Sequence, residues 1–148
     1  MTMRYDSLAF LQKQINIDTP VAELANQEYE AFIFTSDGRT YQSRKAKKTP
    51  LKKGYFLAYW QKNSTNTNEP FDANNSSDYL IVSVLDEGKI GYFEFPKAAL
   101  IKHHILTNNN IVGKMAFRVY PTWEYDLNKT ALKTQSWQSH YFTDLSNN

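Results

Sequence analysis

A chain of 148 residues with 15% aromatics and only five Gly and five Pro has the apolar surface for one hydrophobic core and too little linker composition for disorder. It has no Cys, which excludes disulfides, zinc–thiolate sites and thiol nucleophiles, and its net charge of +2 is too small to imply a nucleic-acid partner by itself. The N-terminal MTMRYDSLAF lacks an apolar h-region, and no run approaches the ~18 apolar residues of a membrane span, so one soluble cytoplasmic domain over residues 1–148 is expected.

Two short helices are predicted first. In DSLAFLQKQI, Leu8, Leu11 and Ile15 recur at helical spacing behind Asp6 or Ser7 as cap. In TPVAELANQEYEAF, Thr19 can cap and Pro20 suits the first helical position. Its inward stripe would run Val21, Leu24, Ala25, Glu28, Phe32, placing a carboxylate on the apolar face that needs a partner or a cavity.

The period then changes to that of strands. AFIFTSDGRTYQSR predicts a hairpin turning at Ser36-Asp37-Gly38, because Asp-Gly tolerates the positive φ of a tight turn. Gly54–Trp60 is apolar on both parities and reads as a central strand covered on both faces. Residues 61–78 read as a polar loop with Pro70-Phe71 as its anchor. YLIVSVLDEGKIGYFEFP is a second hairpin with its turn at Asp86-Glu87-Gly88, Pro96 stops the strand, and PKAALIKHH follows as a short helix. Lys114–Pro121 is the last strand, and Asn128 or Thr130 caps a final helix running through Leu145. The fold class is α+β: a mixed or mostly antiparallel sheet of about five strands with helices packed on it.

Charge is segregated along the chain. From Arg39 to Lys62 lie Arg39, Arg44, Lys45, Lys47, Lys48, Lys52, Lys53 and Lys62 with no Asp or Glu, a local field that the small net charge hides. A like-charge run is most often a solvated face; beside a strand it is also a rigid base for a phosphate-tracking surface.

The final helix places Ala131, Leu132, Trp137, Tyr141, Phe142 and Leu145 on one arc, with Gln135 and Gln138 inside it and His140 pointing elsewhere. Amides facing the core need partners: either backbone groups at a sheet edge, or a ligand in a site beside Trp137. In FRVYP, Arg118 and Tyr120 share one face, and Trp123 follows. Guanidinium plus aromatic rings suits phosphate contact with base stacking; the same pattern also describes an edge strand with an ion pair.

A metal-dependent nuclease of the restriction-enzyme type needs an acid on a helix, an Asp near a strand, and an acid-x-Lys pair on the next strand. Glu28, Asp78, Glu94 and Lys97 occur in that order, but Glu94 and Lys97 are three apart, which puts strand side chains on opposite faces unless a bulge intervenes. Three His without Cys make a transition-metal site unexpected, and five Gly leave no Gly-rich phosphate loop.

The segments RKAKKTPLKKGYFLAYW, EPFD, FEFPKAAL, VGKMAFRVYPTW and TQSWQSHYF, in this order, resemble the MepB family, named for a protein encoded beside a bacterial multidrug efflux pump and its repressor. The resemblance covers roughly residues 28–142. It implies a small cytoplasmic bacterial α+β protein, nucleic-acid binding, and a nuclease-like scaffold, with a restriction-endonuclease-like sheet as one candidate. Carried onto this chain, the matching positions are Glu28, Arg44, Lys47, Thr49, Lys52, Trp60, Phe71, Lys97, Lys114, Arg118, Tyr120, Trp123, Gln135 and Trp137. Where the family tends towards Lys-Arg-Gly, this chain has Lys114-Met115-Ala116, so no positive charge stands at 115.

The functional expectation is a nucleic-acid-binding protein without catalysis, gripping DNA or RNA phosphates with Arg44, Lys47, Lys48, Lys52, Lys97 and Lys114. Arg118, Tyr120, Thr49, Trp60, Trp123, Gln135 and Trp137 add contacts, and no cofactor or metal is expected. The alternatives are a Mg²⁺-dependent nuclease using Glu28, Asp78 and Lys97, and a non-enzymatic partner whose basic surface meets an acidic protein or anion.

Overall fold

In the computed structural model, which describes residues 3–147, the chain runs α1 (Asp6–Gln12), β1 (Asp18–Ala22), a 3-10 turn (Gln27–Tyr29), β2 (Phe32–Ser36), β3 (Arg39–Lys45), β4 (Lys47–Lys48), β5 (Tyr55–Ala58), β6 (Trp60–Lys62), β7 (Asn68–Pro70), β8 (Tyr79–Asp86), β9 (Lys89–Pro96), α2 (Lys97–Lys102), β10 (Ala116–Val119), α3 (Lys129–Gln138), a second 3-10 turn (Ser139–Tyr141) and β11 (Phe142–Asp144). The fold is α+β. Six strands form the main sheet in the order β1-β2-β3-β8-β9-β11; β10-β5-β4 form a second sheet, and β6 pairs with β7. Only the β3–β8 pairing in the main sheet is parallel. Parallel neighbours need a long crossover, and residues 46–78 supply it, carrying β4 and β5 of the second sheet and the β6–β7 pair.

Both predicted hairpins form. Ser36 pairs with Arg39 across Asp37-Gly38, and Asp86 with Lys89 across Glu87-Gly88. φ is positive at both residues of each loop, 50° and 79° in the first and 42° and 89° in the second, the backbone that matches the twist of paired strands. Along β9 the burial alternates, with Gly91, Phe93 and Phe95 inward. β8 is buried on both faces: Ile81 meets Leu8 and Leu11 of α1, Phe32, Phe34 and Tyr41, while Leu80, Val82 and Val84 meet Tyr55, Leu57, Phe117 and Val119 of the second sheet, with Leu100 of α2. The main sheet is thus covered by α1 on one face and by the second sheet and α2 on the other. β5 is the central strand of the second sheet, but the strand expected over Gly54–Trp60 breaks after Ala58 and Trp60 begins β6; Phe71 anchors the polar loop, its ring tilted against Tyr59 with centroids 4.5 Å apart.

Three local expectations are corrected. The second predicted helix is instead β1 followed by a 3-10 turn: Asn26 and Glu30 take φ of 64° and 50°, which ends any right-handed helix. Leu24 is 94% exposed, and Glu28 is exposed rather than on an apolar face. Pro20 fits because β1 is an edge strand with a register shift between Asp18 and Val21. α1 is capped neither by Asp6 nor by the side chain of Ser7; the Glu30 carboxylate accepts from Ser7 N at 2.8 Å and from its hydroxyl at 2.7 Å. α3 stops at Gln138, and Phe142–Asp144 pair with β9, Phe142 packing on Phe93 at 4.6 Å. Asn128, not Thr130, caps α3 by accepting from Ala131 N at 2.8 Å. The main sheet therefore gains two edge strands, β1 and β11, while the strands expected in it at 54–60 and 114–121 contribute β5 and β10 to the second sheet.

Candidate nucleic-acid interface

The basic run folds back on β10. Alternation along β10 buries Phe117 and Val119 and turns Arg118 outward, where its Nη2 donates to Thr49 Oγ1 at 2.6 Å and to the Lys53 carbonyl at 3.0 Å, with Nε reaching the same carbonyl at 3.2 Å. The guanidinium fork therefore sets the shape of the 49–54 loop. Gly54 closes that loop at φ +82°, and a Cβ there would stand 2.7 Å from the Tyr120 ring, so only Gly permits this approach. Lys53 Nζ donates to the Tyr125 carbonyl at 2.6 Å and lies 4.8 Å from the centre of its ring.

Near Arg118, the end of α2, the segment leading into β10, and α3 line a concave surface. Its widest part, about 930 Å³, is lined by Lys102, His103, Lys114, Lys129, Lys133 and Trp137, among others. Adjoining it is a smaller concavity of about 250 Å³ lined by Lys114, Arg118, Tyr120 and Trp137, among others; a third shares Arg118 and Tyr120 with that one and reaches Lys52 and Lys53, and a fourth shares Lys52 and Lys53 and reaches Lys48 and Thr49, so the four together are treated as one groove. Gly113 makes the Lys114 position possible, because a side chain there would collide with the Ile105 carbonyl. His103 lies flat on Trp137, ring centres 3.8 Å apart and planes at 7°. Burial, followed by the positive charge of Lys102 and His104, holds its pKa below the usual 6.5.

The groove brings together Lys48, Thr49, Lys52, Lys114, Arg118, Tyr120 and Trp137 from the expected set. It also includes Lys53 of the basic run, with Lys102, His103, Lys129 and Lys133, none of them among the expected contacts, and His140, which the helical arc turned away. A signal for some of these was present: Lys129, Lys133 and Trp137 follow at i, i+4 and i+8, one stripe of a helix.

Arg44 is the main correction. It is fully buried: Nη1 donates to Glu23 Oε1 at 2.6 Å, Nη2 to Glu23 Oε2 at 3.3 Å and Asn26 Oδ1 at 3.0 Å, and Nε to the Ala58 carbonyl at 3.2 Å. Glu23 and Asn26 come from the segment misread as a helix. A guanidinium so enclosed cannot reach a phosphate. Gln135 donates to the carbonyls of Pro121 and Glu124. Gln138 accepts from Tyr120 N at 2.9 Å and donates to the Arg118 carbonyl at 3.0 Å, so both amides serve backbone, and Gln138 closes the free edge of β10. Trp123 packs edge-on against Tyr55 and Phe142. Trp60 lies on β6, its N–H held by Asn26, and Lys47 sits over the Tyr29 ring at 5.1 Å. Of the expected contacts, Arg44, Lys47, Trp60, Lys97, Trp123 and Gln135 lie outside the groove lining.

The acids proposed for a nuclease are not assembled. The Asp78 carboxylate accepts from Thr40 N at 2.9 Å and Thr40 Oγ1 at 3.1 Å, bonds that hold its pKa below the usual value, the backbone one foremost. The Asp78 carbonyl accepts from Lys97 N. Glu94 accepts from Tyr41 OH at 2.7 Å on the α1 face. Glu28 lies near the opposite end of β3: Glu30, two residues on, is 3.6 Å from Lys45, and Lys45 is five residues, roughly 17 Å of strand, from Thr40. Among the described residues, no group of three or more His, Cys, Asp or Glu could hold a metal ion. No helix among them is long and apolar enough to cross a membrane.

These features define a small α+β protein with a cationic groove on one side of a mixed sheet. A family model described as MepB-like matches residues 23–144, and the chain belongs to that family. It is similar to a solved structure described as "Crystal Structure of MepB", with 44% identity over 98% of this chain and 100% of the other, and a TM-score of 0.88. No curated protein matches.

Proposed function

We propose that this protein binds nucleic acid through its phosphates along the groove between α3 and β10, without cutting it. The observation that carries this reading is the charge of the groove: eight Lys and Arg side chains line its connected parts against two carboxylates, Glu124 and Asp126. A merely solvated basic face needs no concavity. Here the cations come from four separate segments (the 48–53 loop, the end of α2, β10 with its approach, and α3) and converge on one path, an arrangement that raises the local field and draws in a polyanion. Arg118 acts chiefly by positioning: it holds the loop carbonyls so that Lys52 and Lys53 stand at the groove. The non-catalytic half of the reading is supported by the separation of Glu28 from Asp78 and by the hydrogen bonds that tie Asp78 and Glu94 to Thr40 and Tyr41.

The test is fluorescence anisotropy of labelled oligonucleotides over a salt series. Log affinity should fall linearly with log salt, and Lys114→Ala and Lys133→Ala should each weaken binding to every sequence and flatten the slope by about 0.7–0.9. DNA and RNA incubated with Mg²⁺ or Mn²⁺ should stay intact. Undetectable affinity at low salt, or affinity indifferent to both substitutions, refutes the reading; cleavage abolished by Asp78→Ala refutes its non-catalytic half.

A further inference from the structure

Resting on the nucleic-acid reading, we infer that the groove takes single-stranded nucleic acid in preference to duplex, stacking bases on Tyr120 and on the His103–Trp137 pair between phosphate-binding cations. Cations alone would serve either form. The aromatic rings belong to the concave lining, beside the cations. Tyr120 lines both middle parts of the groove, and His103 and Trp137 line both parts at the wide end.

Each ring is held in place before any ligand arrives. The backbone N–H of Tyr120 is fixed by Gln138, and its ring lies against the Cα of Gly54, where no side chain intervenes. Trp137 is buttressed by Phe95 at 5.4 Å and Tyr141 at 6.5 Å. The His103 imidazole lies parallel on the indole, and the two rings line the groove together. Arg118 and Lys114 line the same part of the groove as both stacking points, so cations and aromatic rings share one short stretch of surface. A strand with unpaired bases satisfies this pattern, phosphates on the ammonium groups and base faces on the rings. In a duplex the base faces are already stacked on one another, so the rings would gain nothing from binding it.

The experiment compares four 12-nucleotide probes at pH 8 and fixed low salt: single-stranded DNA, single-stranded RNA of the same sequence, the DNA duplex, and an abasic DNA strand with the same number of phosphates. The single strands should bind about tenfold or more tighter than the duplex and the abasic strand. Tyr120→Leu and His103→Ala should each lower single-strand affinity about five- to tenfold, leaving the salt slope and abasic binding unchanged, because no phosphate contact is lost. Tyr120→Phe, which keeps the ring, should restore binding, and so separates loss of stacking from loss of fold. The DNA and RNA arms assign the sugar. Duplex or abasic strand bound as tightly as single strand overturns this inference while leaving phosphate binding intact; if none of the four binds, the proposed function falls as well.

Discussion

Removing the Glu23 carboxylate should unfold the protein more readily without altering its phosphate contacts, which separates Arg44 from the basic residues around it. Arg44 is 0% exposed and Glu23 17%. Breaking a buried pair by deleting one member typically costs ~3–5 kcal/mol, since the remaining charge stays buried without its partner. In Glu23→Ala the guanidinium keeps Asn26 and the carbonyls of Ser43 and Ala58, and the site already has some access to water, so the lower end, about 3 kcal/mol, is expected. With a urea m-value of about 1–3 kcal/mol/M, the unfolding midpoint should drop by ~1–3 M at unchanged m. Arg44→Met should also destabilise, but the double variant should lie well above the sum of the singles, with a coupling of at least ~1.5 kcal/mol. In all three variants the salt slope of oligonucleotide binding, corrected for folded fraction, should equal that of the parent. If Arg44→Met left the unfolding free energy within about 0.5 kcal/mol of the parent and flattened the salt slope, Arg44 would be a phosphate contact and the burial argument would be wrong.

Gln138→Leu should cost about 2–4 kcal/mol in urea unfolding, because it strands Tyr120 N and the Arg118 carbonyl on the edge of β10; lost binding at unchanged stability would instead make the amide a ligand group. Gly54→Ala should destabilise by more than ~1 kcal/mol, since Ala pays for φ +82° and also meets the Tyr120 ring, and a thermal midpoint equal to the parent's would contradict that packing. His103 has a folded-state pKa below 6.5, so the unfolded chain binds more protons: its contribution to stability is complete above about pH 6.5 and is lost as pH falls through the folded value. Thermal midpoints between pH 8 and 5 should fall less steeply in His103→Gln, and an NMR titration of His103 above 6.5 would reverse the sign.

Much of this protein is written within a few residues at a time. Asp37-Gly38 and Glu87-Gly88 adopt positive φ, so both hairpins follow from turn chemistry and strand alternation alone. Pro96 before KAALIK and Asn128 before α3 mark helix starts by the same local logic, and the segregation of Lys and Arg is visible in one dimension. What the sequence could not show depends on partners far along the chain. DTPVA becomes a strand because the edge of β2 offers hydrogen bonds, and FTD leaves its helix because β9 offers the same at the opposite edge; in each case sheet pairing outweighs a weak helical period. Arg44 looks like its Lys neighbours in a basic run, yet Glu23 and Asn26, 21 and 18 residues earlier, meet it inside the core. The groove exists because β10 exposes alternate residues and α3 lies beside it, bringing Lys114, Lys133 and the 48–53 loop onto one path. Charge, periodicity and turns are properties of the chain; burial and convergence of charge belong to the packed structure, where distant segments decide whether a cation faces a carboxylate or open solvent.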